Sequence, residues 1–331
     1  MTGEKSLMLP KLFIIGGITS KMANDLNSDF TLFYANDMAN PAEWLSENGA
    51  GIGYVLTNGH DGVPNDLLAH LPDVKLISNY GVGYDAIDVA TTAARNIVVT
   101  HTPEVLNEEV ATTALLLMLS CYRELLSNEA HARSGAWAKN GNPPLTRSAD
   151  NKVIGIVGLG RIGRAVARKL APFQATIYYH NRSQSDLPYQ YYSDLQAMAK
   201  DSDVLIVTAP GGASTNKIIN RDIMEALGPD GVLINVARGS VVDEAALIEA
   251  LSSGALGWAG LDVFEKEPYI PEALAALPNV VLTPHIGSGT HETRQAMGQL
   301  VVDNLIEHKN SGAVFSPVPE SAAIATKIAR A

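Results

Sequence analysis

Three short segments, far apart in the chain, each place an ionisable residue just after an apolar run. Arg238 lies in Asn235-Val-Ala-Arg-Gly-Ser240, Glu267 in Asp262-Val-Phe-Glu-Lys-Glu267-Pro268, and His285 in Thr283-Pro-His285-Ile-Gly287-Ser288. A guanidinium fork suits a carboxylate or a reacting carbonyl oxygen. An imidazole suits proton transfer to a carbonyl oxygen or from a hydroxyl, and a carboxylate on its other ring nitrogen fixes its tautomer. Together they read as the acid, the orienting group and the anion clamp for chemistry on a 2-oxo or 2-hydroxy acid. Asp262 could hold a carboxamide beside them, or it could simply form a turn.

A hydride donor is implied upstream. The apolar run Lys152–Val157 leads into Gly158-Leu159-Gly160-Arg161-Ile162-Gly163, followed by an amphipathic pattern at Val166 and Leu170. Strand, glycine turn and helix in this order form a dinucleotide site. The first glycine permits the turn, the second admits the pyrophosphate, and the third lets helix and strand pack. The next strand, Thr176–His180, ends in Asn181-Arg182-Ser183. Asn181 stands where an enzyme specific for NAD carries an acid for the ribose 2′-hydroxyl, whereas Arg182 and Ser183 suit a 2′-phosphate, so NADP(H) is expected. The plainer alternative is that Arg182 is a solvated loop charge, with Asp186 close by. A further glycine loop, Asn79-Tyr80-Gly81-Val82-Gly83, could present backbone amides to a substrate carboxylate as a nest, or be a plain turn. The remaining histidines show no metal-ligand spacing, so no metal is expected.

These groups must be carried by elements. Apolar runs alternate with helical patterns, the mark of parallel sheets with crossover helices. Strands are expected at Lys11–Gly16, Thr31–Tyr34, Gly51–Leu56, Val74–Asn79 and Ile97–Thr100. A helical stretch follows from Pro103 to about Arg133, then a loop over Ser134–Asn151. Further strands are expected at Val153–Val157, Thr176–His180, Val204–Thr208, Val232–Asn235, Gly260–Val263 and Val280–Thr283. A last helix, Gly289–His308, is expected to return to the first domain. The domains are then 1–101 with 290–331, for substrate, and 102–289, for the dinucleotide. The length of 331 residues fits two domains, and 46% hydrophobic residues supply their cores. A net charge of −11 argues against nucleic acid or an anionic membrane as partner. No apolar stretch is long enough to cross a bilayer. The single cysteine, Cys121, allows no intrachain disulfide, which fits a reducing cytoplasm, and it reads as core.

With these motifs in place, the chain resembles the D-isomer-specific 2-hydroxyacid dehydrogenases. The likeness runs through Gly81-Val82-Gly83, His101-Thr-Pro103, the Gly158–Gly163 turn, Val236–Glu244, Gly260–Pro268 and Thr283–Arg294. Within that family it is most similar to NADPH-dependent glyoxylate/hydroxypyruvate reductases and the related hydroxyphenylpyruvate reductases. The resemblance implies two Rossmann-like doubly wound α/β domains, a flavodoxin-like substrate domain and an NAD(P)-binding domain. It implies His285 as acid/base, Glu267 as its support, and Arg238 with the Val82 and Gly83 amides as substrate ligands. It implies cofactor contacts at the Gly158–Gly163 turn, Asn181–Ser183, Thr208, Ala237, Asp262 and Gly287. It also implies a homodimer in which Trp137 can reach the neighbour's active site. The chain departs from the family pattern at Thr208-Ala-Pro210-Gly-Gly212, where the family often has His or Cys and then Pro-Leu-Thr, and at Val110-Ala-Thr112-Thr113, where many members carry an acid. An aromatic 2-oxo acid reductase, or a dinucleotide-sensing corepressor, are the alternative readings.

Overall fold

In the computed structural model, residues 8–327 are described. The chain divides into two compact units: one holds the chain up to Leu106 and again from His291, the other Asn107–Thr290. The first begins with β1 (Lys11–Ile14), α1 (Ser20–Asn27), β2 (Thr31–Tyr34), α2 (Pro41–Asn48) and β3 (Ile52–Asn58). It continues through α3 (Asn65–Ala69), β4 (Leu76–Tyr80), α4 (Val89–Ala94) and β5 (Val98–Thr100). All five strands are parallel, in the order β2-β1-β3-β4-β5, which is the flavodoxin-like winding. Their side chains, among them Phe13, Ile52, Val55, Ile77 and Val99, are buried in one core with Leu45, Ile97 and Val318.

The second unit opens with α5 (Asn107–Tyr122), α6 (Leu125–Arg133) and α7 (Ala136–Asn140). Next come β6 (Val153–Val157), α8 (Arg161–Leu170), β7 (Thr176–His180), β8 (Gln190–Tyr191), α9 (Leu195–Lys200) and β9 (Val204–Val207). It closes with α10 (Arg221–Leu227), β10 (Val232–Asn235), α11 (Glu244–Ser253), β11 (Trp258–Leu261), α12 (Glu272–Ala275) and β12 (Val280–Leu282). The sheet order is β12-β11-β10-β9-β6-β7-β8, a Rossmann winding with one added strand, and it reverses between β6 and β9. Helices cover both faces, so the central strands are largely apolar, as Val153-Ile-Gly-Ile-Val157 shows. The helices begin where the sequence supplies caps: Asp194, Asn220 and Asp243 each accept a backbone N–H of the first turn.

Helix α13 (His291–Ser311) belongs to the first unit and packs on β4 and α1. Gly298 makes the close approach possible, because a Cβ there would lie 3.0 Å from Met22 Cγ and Sδ. Short strands β13 (Ala313–Val314) and β14 (Thr326–Lys327) pair after it. The segment beyond β13 runs back along β5, through Val318 N–H to Val99 O at 2.9 Å and His101 N–H to Ser316 O at 3.1 Å.

Several elements differ from the sequence reading. The helical stretch expected from Pro103 starts only at Asn107, and Glu104 stands before it with φ 74°. It also breaks at Glu124, left-handed at φ 44°, where Asn128 Nδ2 satisfies the Arg123 and Glu124 carbonyls at 2.9 and 3.1 Å. No glycine or proline marks that break, so periodicity alone ran through it. Part of the expected loop 134–151 is the short α7, flanked by Gly135 and Gly141 at φ 74° and 81°. Strand β11 lies two residues earlier than expected, at Trp258–Leu261, and the Asp262 N–H still donates to Asn235 O of β10 at 3.0 Å. Among the described residues no single helix is long and apolar enough to cross a membrane.

Candidate active site

The three ionisable residues are built onto the C-terminal ends of β10, β11 and β12. Asn235, 1% exposed at the end of β10, shapes the Arg238 loop from inside. Its Nδ2 donates to Arg238 O at 2.9 Å, and its Oδ1 accepts the Ala237 N–H at 3.0 Å. Arg238 Nη1 donates to Ala237 O at 2.8 Å. The next residue must be glycine, since a Cβ on Gly239 would sit 1.9 Å from Phe264 C and 2.0 Å from Phe264 O. The loops after β10 and β11 thus touch backbone to backbone, which brings the Arg238 charge to bear on Glu267.

Glu267 reaches two donors. Oε1 accepts the Phe264 N–H at 3.1 Å and Oε2 lies 2.7 Å from His285 Nδ1. Partial burial by itself would raise the Glu267 pKa. The His285 hydrogen bond and charge, the Phe264 N–H and the Arg238 charge outweigh it and hold the carboxyl below its ordinary value. The carboxylate can only accept, so the shared proton belongs to Nδ1, and Nε2 is the ring nitrogen left to exchange a proton with a substrate.

His285 has φ 53°, a left-handed backbone uncommon outside glycine, and here it is held by side-chain hydrogen bonds. The residue that holds it is Asp262, 1% exposed. Its Oδ1 accepts from Thr283 Oγ1 and Ile286 N–H, both at 2.7 Å, and its Oδ2 accepts the Gly287 N–H at 2.8 Å. Asp262 O also accepts the His285 N–H at 2.9 Å. Burial raises the Asp262 pKa despite these donors. Asp262 was expected to hold a carboxamide, and Gly287 to touch cofactor. In the structure the Gly287 N–H donates to Asp262, and the pair clamps the turn that aims the imidazole. Asn235, Gly239 and Thr283 stood in the motifs but carried no role in the sequence reading. A buried polar residue or glycine flanking an ionisable one was the available signal.

The glycine turn fits a dinucleotide on geometry. Gly158 has φ 96°, and a Cβ on it would meet the Ala209 backbone at 2.6 Å. A Cβ on Gly163 would meet Gly158 O at 2.7 Å, so α8 can lie close to β6 only without one. A Cβ on Gly160 would meet nothing within 4 Å, leaving space over the turn at the α8 N-terminus. Leu159, Arg161 and Ile162 complete the turn, with Leu159 buried. Two neighbouring strand ends brace it: Thr208 Oγ1 donates to Gly158 O at 2.7 Å, and Asn181 Oδ1 accepts the Leu159 N–H at 2.7 Å. Asn181 therefore braces the turn. Arg182 and Ser183 follow it exposed, and Arg182 makes no ion pair among the described residues. Trp137, on α7, is 60% exposed and donates from Nε1 to Asn142 Oδ1 at 2.9 Å. Cys121 is buried and its thiol is pushed up to about 12 by that burial, as a core residue requires. Val82 and Gly83 lie in the first unit, in the loop after β4. Among the described residues no cluster of His, Cys, Asp and Glu is placed to hold a metal ion.

The family described as D-isomer specific 2-hydroxyacid dehydrogenase, NAD binding domain, matches residues 115–287. Glyoxylate/hydroxypyruvate reductase A of Arabidopsis thaliana is 42% identical over 302 residues, 91% of this chain and 96% of that one. Hydroxyphenylpyruvate reductase of Plectranthus scutellarioides is 41% identical over 302 residues, with the same shares. An NADPH-dependent glyoxylate/hydroxypyruvate reductase from Sinorhizobium meliloti, solved with NADP and malonate, superposes with a TM-score of 0.90. It is 43% identical and covers 94% of this chain and 97% of its own.

Proposed function

Since the chain belongs to the D-isomer specific 2-hydroxyacid dehydrogenase family, we propose that it reduces small 2-oxo acids, hydroxypyruvate and glyoxylate, to D-2-hydroxy acids with NADPH. The observation that carries this reading is the 2.7 Å His285–Glu267 pair beside the Arg238 loop, on a nucleotide-binding sheet. When bound, the reduced nicotinamide supplies the hydride that goes to the carbonyl carbon. His285 delivers the proton to the carbonyl oxygen from Nε2, while Glu267 holds Nδ1 and stabilises the imidazolium before transfer. Arg238 takes the substrate, and in the first unit the Val82 and Gly83 N–H groups are offered to its carboxylate. The Gly158–Gly163 turn holds the pyrophosphate. Asn181 and Thr208 brace that turn, and Ala237 lines the loop beside Arg238.

The choice of NADPH rests on Arg182 and Ser183 at the end of β7, with no acid there. Arg182→Ala should raise the KM for NADPH about ten- to a hundredfold and leave that for NADH nearly unchanged. A wild type that prefers NADH in steady-state kinetics would overturn the assignment. Substrate is tested in the same assay with glyoxylate, hydroxypyruvate, pyruvate and phenylpyruvate. The relative from Plectranthus scutellarioides makes an aromatic 2-oxo acid the competing outcome. The proposed assembly is a homodimer. Leu116, Leu125, Leu126 and Trp137, between 47% and 60% exposed along α5, α6 and α7, offer an apolar surface for a second copy.

A further inference from the structure

The loop after β4 has three consecutive carbonyl groups tied down by the protein. Asn79, fully buried, donates from Nδ2 to Gly81 O and to Gly83 O, each at 2.9 Å. The Thr102 N–H adds a bond to Gly81 O at 2.9 Å. Between these two carbonyls, Val82 O lies 2.9 Å from His101 Nδ1. A carbonyl only accepts, so that nitrogen carries the proton.

In a planar trans peptide the C=O of one residue and the N–H of the next point in opposite directions. Fixing Gly81 O therefore turns the Val82 N–H the other way, and fixing Val82 O does the same to the Gly83 N–H. Neither of these N–H groups donates to a protein acceptor among the described residues. Neither Gly81 nor Gly83 has a left-handed φ, so the exposed amides do not come from the alternating backbone of a glycine nest. They come from the side chains behind the loop.

Both side chains are locked. Among the described residues Asn79 Oδ1 is buried without a hydrogen-bond partner, and flipping the amide would set that oxygen against two carbonyl oxygens. Retaining a buried unpaired acceptor calls for a reason, and the double grip on the loop supplies one. His101 is 7% exposed and its ring stands edge-on to Tyr84 at 5.3 Å. Its backbone is held by Ser316, whose Oγ donates to His101 O at 2.7 Å, and Asn304 on α13 in turn holds Ser316.

We propose that Asn79 and His101 are positioning residues. They hold the 81–82 and 82–83 peptides so that two N–H groups face the carboxylate of the 2-oxo acid. This rests on the reading that those amides bind that carboxylate. The test is steady-state kinetics with hydroxypyruvate at saturating NADPH for wild type, Asn79→Asp, His101→Phe and His101→Asn. Aspartate cannot donate to the two carbonyls. Phenylalanine keeps the ring packing but has no donor, whereas asparagine can place an amide nitrogen near the lost Nδ1. Asn79→Asp and His101→Phe should each raise the KM for hydroxypyruvate about ten- to a hundredfold, with kcat within about threefold and the NADPH KM unmoved. His101→Asn should recover most of the loss. Misfolding lowers the active fraction, which reduces kcat and leaves KM alone, so the KM shift is specific. If Asn79→Asp fails to accumulate, the two His101 variants decide the matter. Unchanged KM in His101→Phe alongside an active wild type overturns the proposal only. A wild type that reduces no 2-oxo acid overturns the underlying reading and the proposal with it.

Discussion

At the residue scale the site depends on a proton held in one place. Glu267 fixes the proton on His285 Nδ1 across 2.7 Å, so the other nitrogen works without a tautomer search. Glu267→Gln keeps the shape, but its amide can present a donor to the ring and favour the wrong tautomer. Turnover is expected to fall by about a hundredfold or more, with little change in NADPH binding. His285→Ala should cost about a hundred- to ten-thousandfold in kcat and spare the NADPH KM; retained turnover would remove His285 from its role. The same pair gives a pH signature. Glu267 titrates below its ordinary value of 4.5 when folded, so folding favours its ionised form. The stabilisation is complete above that ordinary value and is withdrawn as the pH falls through the lower, folded one. Urea midpoints of wild type and Glu267→Gln should therefore converge as the pH is lowered from about 7 to about 3. A constant gap would show that the ion pair does not contribute.

At the scale of elements, glycines separate packing from binding. Gly239→Ala would drive a Cβ into the Phe264 carbonyl group and displace the segment leading to Glu267. It should cost about 1–3 kcal/mol in urea unfolding and lower kcat as well. Gly160→Ala meets nothing within 4 Å, so stability should stay within about 0.5 kcal/mol while the NADPH KM rises. If Gly160→Ala unfolds the protein instead, the space over the turn is not a binding space. The sequence made most of these elements legible, because buried parallel strands read as apolar runs and the glycine turn has a fixed spacing. It brought Arg238, Glu267 and His285 into one hypothesis for the same reason: each follows such a run. It could not show that Asp262 is a clamp, since an aspartate that grips a turn and one that grips a ligand look alike in one dimension. Nor could it show the break at Glu124 or the two-residue β8. The first lacks glycine and proline, and the second is too short for a period.

At the scale of the molecule, two windings of opposite continuity share one chain. The second unit is a single stretch, Asn107–Thr290, with its own core. The first is completed by α13 and by the segment that hydrogen-bonds along β5. A chain ended at Thr290 should thus keep one cooperative thermal transition for the second unit, while residues before Leu106 become sensitive to protease. Equal protease resistance in both parts would contradict the dependence on α13.

That split carries a consequence for how the protein is made. During synthesis β1–β5 emerge first, yet the helix that covers β4 and α1 arrives only with residues 291–311. At ribosomal speed the delay from β5 to the end of α13 is about ten to forty seconds. For that time the face that α13 will cover waits unpaired on the nascent chain.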